Sequence, residues 1–376
     1  MKIKDIGHVV TGKTPSTEID EYYGGNIMFI SPSDLHGDYL IEESEKTITE
    51  EGLNSIETNS IGGLSVLTGC IGWDMGNVAM CNSRCATNQQ INTITRFNES
   101  IADPRYVYYW LKGKKDYLFS IASVTRTPIL SKSVFEDIDI PIPCLGLQKK
   151  VANLLSSIDE KIRINNKIND YLEEMAKTIY DYWFVQFDFP DKNGKPYKSS
   201  GGTFKNGLPI GWNYVPIKNI CNILSGFSFQ SDDYVQNGKY KLLTIKNVQD
   251  TGINLDVDNY INILPENMPD FCKLDIGSIL MSLTGNVGRV GILYDSNCLL
   301  NQRVSLMQAK NPIMTPFIYC LLKSSKMRYI LESLATGTSQ KNLSPIEAGN
   351  IMIPYDSEIV KNFSKKVTPL IDSIIT

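Results

Sequence analysis

The chain repeats itself, and any fold it adopts must accommodate that repeat. Ile3-Lys4-Asp5-Ile6 recurs as Ile217-Lys218-Asn219-Ile220, and Leu67-Thr68-Gly69-Cys70-Ile71-Gly72 as Leu283-Thr284-Gly285-Asn286-Val287-Gly288. Asn88-Gln89-Gln90-Ile91 answers to Asn301-Gln302-Arg303-Val304, and Tyr106-Val107-Tyr108-Tyr109-Trp110-Leu111-Lys112 to Phe317-Ile318-Tyr319-Cys320-Leu321-Leu322-Lys323. Ile140-Pro141-Ile142-Pro143 closes one copy and Ile351-Met352-Ile353-Pro354 the other, and the offsets stay between 211 and 216. Conserved order at near-constant spacing indicates an internal duplication. A chain of 376 residues has room for two such domains with connecting segments.

Within each copy, short β-rich runs such as 27–30 and 240–245 are punctuated by Gly, Asn and Asp. One helical stretch, 105–122 in the first copy and 316–334 in the second, follows a proline. Each copy reads as a compact mixed α/β domain, at residues 1–145 and 208–354.

A long helix is predicted after the first copy, within residues 146–190. Val151, Ile158, Asn165, Leu172 and Ile179 repeat at one heptad position, and Leu154, Lys161, Ile168, Met175 and Tyr182 at the other. A period of 3.5 residues without Gly or Pro is that of a coiled coil, although an ordinary amphipathic core helix is the alternative. The C-terminal segment 355–376 repeats the pattern more briefly, with Val360, Val367 and Ile374 beside Phe363 and Leu370. The surplus seam at Leu172, Met175 and Ile179 then needs a partner, because open apolar stripes rarely persist on soluble monomers. The run Trp183-Phe184-Val185-Gln186-Phe187-Asp188-Phe189-Pro190 is expected to anchor the helix end by packing rather than to stack bases. The Gly- and Lys-rich stretch 191–207 reads as a linker or loop.

Catalytic chemistry is hard to place. Residues 7–14, from Gly7 to Gly12-Lys13-Thr14, fit a phosphate-binding loop letter for letter, but Pro15 biases Thr14 away from helix. The second copy has Ser225-Gly226-Phe227 there, without the lysine. No methylation motif or glycine-rich cofactor loop is present, and the only histidines, His8 and His36, do not recur. Eight cysteines lie scattered without a closely spaced pair beyond Cys81 and Cys85, so free thiols in a reducing cytoplasm fit better than a zinc site. No apolar run of eighteen residues is present, and none is expected to span a membrane. Acid pairs such as Asp137 and Asp139 read as solvated edge residues.

Two related domains on a helical spacer form a pseudo-twofold object suited to a linear, repeating ligand such as DNA. The net charge of −4 does not favour a nucleic-acid binder, but its distribution softens the objection. Residues 1–145 carry 12 basic and 19 acidic groups, whereas residues 191–357 carry 16 and 13. A DNA surface must therefore be a local stripe.

Several motifs in this order resemble the DNA-specificity subunits of type I restriction–modification systems. They are residues 11–15, the Leu-Thr-Gly segments, the Asn-Gln strands, residues 337–344 and the run from Met175 through Asp188. The resemblance covers essentially the whole chain. It implies two target-recognition domains separated by long antiparallel coiled-coil helices, without catalytic activity or cofactor of their own. Each domain would read half of a bipartite double-stranded DNA site. Two methyltransferase subunits would dock on the helices and two motor–nuclease restriction subunits would join them, in the cytoplasm. AdoMet, ATP and magnesium would belong to those partners. A duplicated interaction scaffold that never touches DNA is the competing reading.

Candidate DNA-contacting residues in the second copy are Thr338, Gln340, Lys341 and Asn342, with Lys246 and Asn247. Their amide and ammonium groups suit bases and phosphates. In the first copy they are Arg126, Thr127, Lys13 and Thr14, with Pro128 and Ile129 standing where the second copy has Lys341 and Asn342. Members of this family usually carry a second helix comparable to the first. This one stops at Thr376, so either the pairing is partial or the chain is shortened. The purified chain is expected to bind neither ATP nor AdoMet in calorimetric titration. Micromolar ATP affinity abolished by Lys13→Ala would restore the phosphate-loop reading.

Overall fold

The structure, a computed structural model, describes residues 1–124, 126–337 and 340–376. It divides into two units, Met1–Asn166 and Lys167–Thr376, with the boundary inside a helix. In the first unit an antiparallel sheet runs in the order His8–Thr11, Ile91–Thr95, Ser65–Gly69, Val78–Cys81. A second sheet sets Tyr23–Ile30 between antiparallel Lys46–Ile48 and parallel Cys85–Thr87. Ser65–Gly69, Val78–Cys81 and Ile91–Thr95 are buried at every position. Val78–Cys81 is apolar throughout, whereas Ser65, Thr68, Asn92, Thr93 and Thr95 are polar side chains buried with their strands.

The second unit rebuilds this plan. Cys221–Ser225, Val304–Ala309, Ile279–Ser282 and Val290–Ile292 form an antiparallel sheet of the same order. Tyr240–Leu243 again pairs in parallel, here with Cys298–Leu300. Met28 faces Cys85 in one unit and Lys241 faces Cys298 in the other, so both partners shift by the same 213 residues. All eight cysteines are free thiols, seven of them buried. Among the described residues no cluster of three or more metal-ligating side chains forms, and no helix is long and apolar enough to cross a membrane.

The stretch expected to be one helix in each copy is two. Pro104–Lys112 and Lys115–Ser120 break at Gly113, and Thr315–Lys323 and Ser325–Leu334 break at Ser324. The Ser324 hydroxyl accepts from the Met327 amide at 3.3 Å, capping the new helix and stopping the old one.

The long helix, Leu145–Tyr180, continues as a π-helical turn over Asp181–Val185. Its 36 residues span roughly 54 Å at about 1.5 Å per residue. The first unit holds its own part of the helix by polar contacts. Gln148 is fully buried, donating to the Ile101 and Pro143 carbonyls at 2.8 Å and accepting from the Asp103 amide at 3.0 Å. Tyr109 donates to Asp159 at 2.8 Å and Tyr39 to Glu160 at 3.1 Å, while Arg163 bridges Glu160 and Glu42.

In the second unit Tyr319 donates to Glu173, which Lys323 also pairs at 2.9 Å. Burial and the Glu173 charge push the Tyr319 hydroxyl well above its ordinary pKa. Beyond this pair the contact becomes aromatic. Ala176, Tyr180, Trp183 and Phe184 pack with Phe317 and with Phe363 of the C-terminal helix Ser357–Ile375. Phe184 lies 5.1 Å from Phe363 and 4.8 Å from Phe317, so the aromatic run packs as expected.

The segment 191–207 folds back onto this core as an ordered loop. Tyr197 stacks on Phe189 at 4.8 Å, and the Ser199 amide donates to Asp188 at 2.7 Å.

The helix meets the aromatic core along a line turned one position from the heptad seam. Ala176 and Tyr180 are buried, Leu172 and Ile179 are half-buried, and Met175 is 52% exposed. Leu154 (64% exposed), Ile158 and Ile168 continue the open stripe. Phe363→Ala is therefore expected to cost about 3–5 kcal/mol in urea denaturation. Leu154→Ala should stay within about 0.5 kcal/mol. Equal losses would mean that the stripe is covered in the isolated chain.

Candidate nucleic-acid interface

The same small hydrogen-bonded ladder recurs in both domains. In the first unit the Cys70 amide donates to the Gln90 carbonyl at 2.7 Å, Leu130 donates to Cys70 at 2.8 Å, and Gly72 donates to Pro128 at 3.0 Å. In the second, Leu283 donates to Arg303 at 3.0 Å, Leu343 to Leu283 at 2.8 Å, and Gly285 to Lys341 at 2.9 Å. All five residue pairs, Cys70 with Leu283, Gln90 with Arg303, Leu130 with Leu343, Gly72 with Gly285 and Pro128 with Lys341, are offset by 213. The Asn of each Asn-Gln turn braces the ladder. Asn88 Oδ1 accepts from the Gln90 amide at 3.0 Å and Asn301 Oδ1 from the Arg303 amide at 3.3 Å, each an Asx turn.

Glycine is required at the corner of this ladder. Gly72 has φ +103° and Gly285 φ +74°, a region L side chains rarely enter. The structural counterpart of Gly285 is thus Gly72, not the Gly69 that the Leu-Thr-Gly match pairs with it. Leu67-Thr68-Gly69 lies within a strand, whereas Leu283-Thr284-Gly285 lies in the turn after one. The closing Ile-Pro match slides likewise. Ile3 donates to Ile138 and Ile217 to Ile351, so Ile138 corresponds to Ile351.

Gly12 and Gly226 have a different reason to be glycine. A Cβ on Gly12 would sit 2.1 Å from the Asn88 carbonyl oxygen, and one on Gly226 2.4 Å from that of Asn301. Gly12 is therefore a close-approach residue beneath the Asn-Gln turn, and no helix follows Lys13 to cradle a phosphate.

The ladder carries some of the candidate residues and leaves others aside. Gln340, Lys341 and Asn342 are exposed on it, and Thr284 donates to Asn342 Oδ1 at 3.1 Å. Thr338 lies outside the described residues. Thr127 and Arg126 are exposed at the corresponding place in the first unit, where Ile129 is also exposed. Thr14 donates to Gln89 at 2.8 Å, which ties the exposed Lys13 segment to the residue beside Gln90 of the ladder. Lys246 is exposed but paired with Asp258 at 2.7 Å.

Asn247 requires a correction. It is 4% exposed, and its amide is used internally: Oδ1 accepts from the Thr244 amide at 2.9 Å, and Nδ2 donates to Asn254 and Asp256 carbonyls. It organises its loop and has no group left to offer a ligand.

Sequence reasoning passed over two residues in or beside the ladder. Trp73 follows Gly72 and is 70% exposed, with its ring 6.0 Å from Phe119. Arg303 is exposed and makes no ion pair among the described residues. The Asn-Gln motif could have flagged Arg303, since it replaces Gln90 in that repeat.

Comparison with known proteins bears on this arrangement. The family model "Type I restriction modification DNA specificity domain" matches residues 1–174 and 209–375. The specificity subunit of the type I restriction enzyme MjaIX of Methanocaldococcus jannaschii is 29% identical, over the whole of this chain and 87% of its own length. That of HindI from Haemophilus influenzae is 32% identical over 47% of this chain and 39% of its own. Among solved structures, the type I restriction–modification S subunit of M. genitalium matches with a TM-score of 0.57 at 16% identity, covering all of this chain and 89% of that one, a likeness of fold.

The two kinds of glycine should respond differently to alanine. Gly285→Ala meets no atom closer than 3.6 Å and should cost about 1–2 kcal/mol, the penalty of left-handed backbone. Gly226→Ala must displace the Asn301 backbone and should lose more in the same urea titration. The reverse order would contradict this assignment.

Proposed function

This chain belongs to the type I restriction modification DNA specificity domain family, and on that premise we propose that it selects the DNA sequence on which a larger complex acts. The observation that carries the reading is the duplicated ladder with its exposed polar side chains. A ligand that presents similar chemistry twice is best met by two similar heads, and duplex DNA does so at fixed helical intervals. Each domain, 1–145 and 208–354, reads one half of a bipartite site. Gln340, Lys341 and Asn342 serve the second half, and Lys13, Thr14, Arg126 and Thr127 the first.

The chemistry of this surface is that of recognition. Amides offer paired donors and acceptors to base edges, and lysine supplies charge to phosphate. Cutting and methylation fall to partner subunits, which bring their own cofactors. The open stripe of Leu154, Ile158, Ile168 and Met175 is where methyltransferase subunits dock, with Leu172 and Ile179 at its margin. Restriction subunits join that assembly.

Helix length sets the spacing between the half-sites. Inserting one heptad after Asn165 lengthens the helix by about 10 Å. That corresponds to roughly three base pairs at 10–10.5 per turn of about 34–36 Å. Seven residues preserve the phase of the stripe, so a partner still docks. Four residues rotate it and should impair assembly. Methylome sequencing of cells carrying the heptad insertion is expected to find both half-sites unchanged and the spacer longer by up to that amount. An active complex with an unaltered spacer would show that the helix is not the ruler.

A further inference from the structure

The second domain's ladder exposes one arginine whose position is set by its own backbone. The Arg303 amide donates to Asn301 Oδ1 at 3.3 Å, and its carbonyl accepts from Leu283 at 3.0 Å. Its Cα is thus held from both sides while the side chain stands in solvent. The other arginines of this unit are committed elsewhere. Arg289 and Arg328 share Asp250 at 3.0 and 2.8 Å, and the hydrogen bond from Arg328 holds that carboxyl below its ordinary pKa. Arg303 and Lys341 make no ion pair among the described residues, although they sit in one hydrogen-bonded ladder.

We infer that Arg303 reads a base edge in the half-site bound by the second domain, and that the base is guanine. The inference rests on the DNA-specificity reading above and adds the residue and the base. Arginine offers a rigid fork of donors and no acceptor. Guanine presents two acceptors, O6 and N7, in the major groove, whereas adenine sets a donor beside its acceptor. A fork on a pinned Cα meets the geometric demand of bidentate readout, and Lys341, a point charge on a flexible stem, suits an adjacent phosphate. The first domain carries Gln90 at the same rung, half-buried, with its Oε1 accepting from Asn88 Nδ2 at 3.1 Å. The shared scaffold thus presents different chemistry to the two half-sites.

The test uses the full chain, co-purified with its methyltransferase partner, in selection from randomised duplex DNA at fixed salt. Wild type is expected to enrich a bipartite site with guanine at a position that Arg303→Ala leaves unselected. Discrimination there should fall on the order of 10- to 100-fold, while the other half-site stays intact. Arg303→Lys should lose most of this preference but keep overall affinity. A thermal melt like that of wild type confirms that each variant is folded, as expected for an exposed side chain. Arg303→Ala that weakens all sequences equally, with a shallower salt dependence, would reassign Arg303 to phosphate and overturn the inference. Unchanged selection would overturn it as well. A wild-type complex that enriches no sequence at all would instead remove the DNA-specificity reading itself.

Discussion

A helix of 36 residues is held in place only where side chains of a folded domain reach it, because its own backbone hydrogen bonds contribute little net stability in water. The first unit grips its part with Gln148, Tyr109, Tyr39 and Arg163, polar groups directed at one face. The second relies on aromatic burial, with Phe184 and Phe363 at the centre and Glu173, paired with Tyr319 and Lys323, before it. These attachments differ in what they tolerate. A polar grip fails when one partner is removed and the other is left buried, whereas an aromatic core fails through the cavity left behind.

Both attachments leave the same helix with an apolar stripe uncovered by this chain. A side chain as exposed as Leu154 adds nothing to the folding of its own domain, and such a residue repeated at heptad spacing suits association. The chain separates its tasks by face. Each unit secures its own part of the helix, Leu154, Ile158, Ile168 and Met175 stay open, and the second ladder exposes Arg303 and Lys341.

Duplication has preserved backbone and released side chains. The ladder and its Asx turn recur at an offset of 213, yet Lys341 stands where the first unit has Pro128, and Arg303 where it has Gln90. Main-chain hydrogen bonds do not depend on side-chain identity, so the outward positions can change without disturbing the frame. A net charge of −4 does not preclude a DNA-binding surface, because the relevant charge is local, and Arg303 and Lys341 make no ion pair among the described residues.

The duplication, the mixed α/β class, the long helix and the packing role of the aromatic run after it were legible in the sequence. Each is written in periodicity or in residue character that any fold must respect. Of the candidate interface, only residues 340–342, Thr127 and their neighbours could be read, from their polarity. Asn247 looked equally suitable and proved to be buried, because an amide that organises a loop and one that meets a ligand have the same side chain. The equivalence of Gly72 with Gly285 was hidden by a better match of letters three residues away. Tertiary structure decided it, since hydrogen-bond register follows strand pairing, and a short motif can slide along a chain without changing its spelling. The face that the long helix buries was decided in the same way. Heptad spacing defines an apolar line, but the ring cluster around Phe363 turned the helix by one position to Ala176 and Tyr180, because large rings fill space that a seam of aliphatic side chains would leave open.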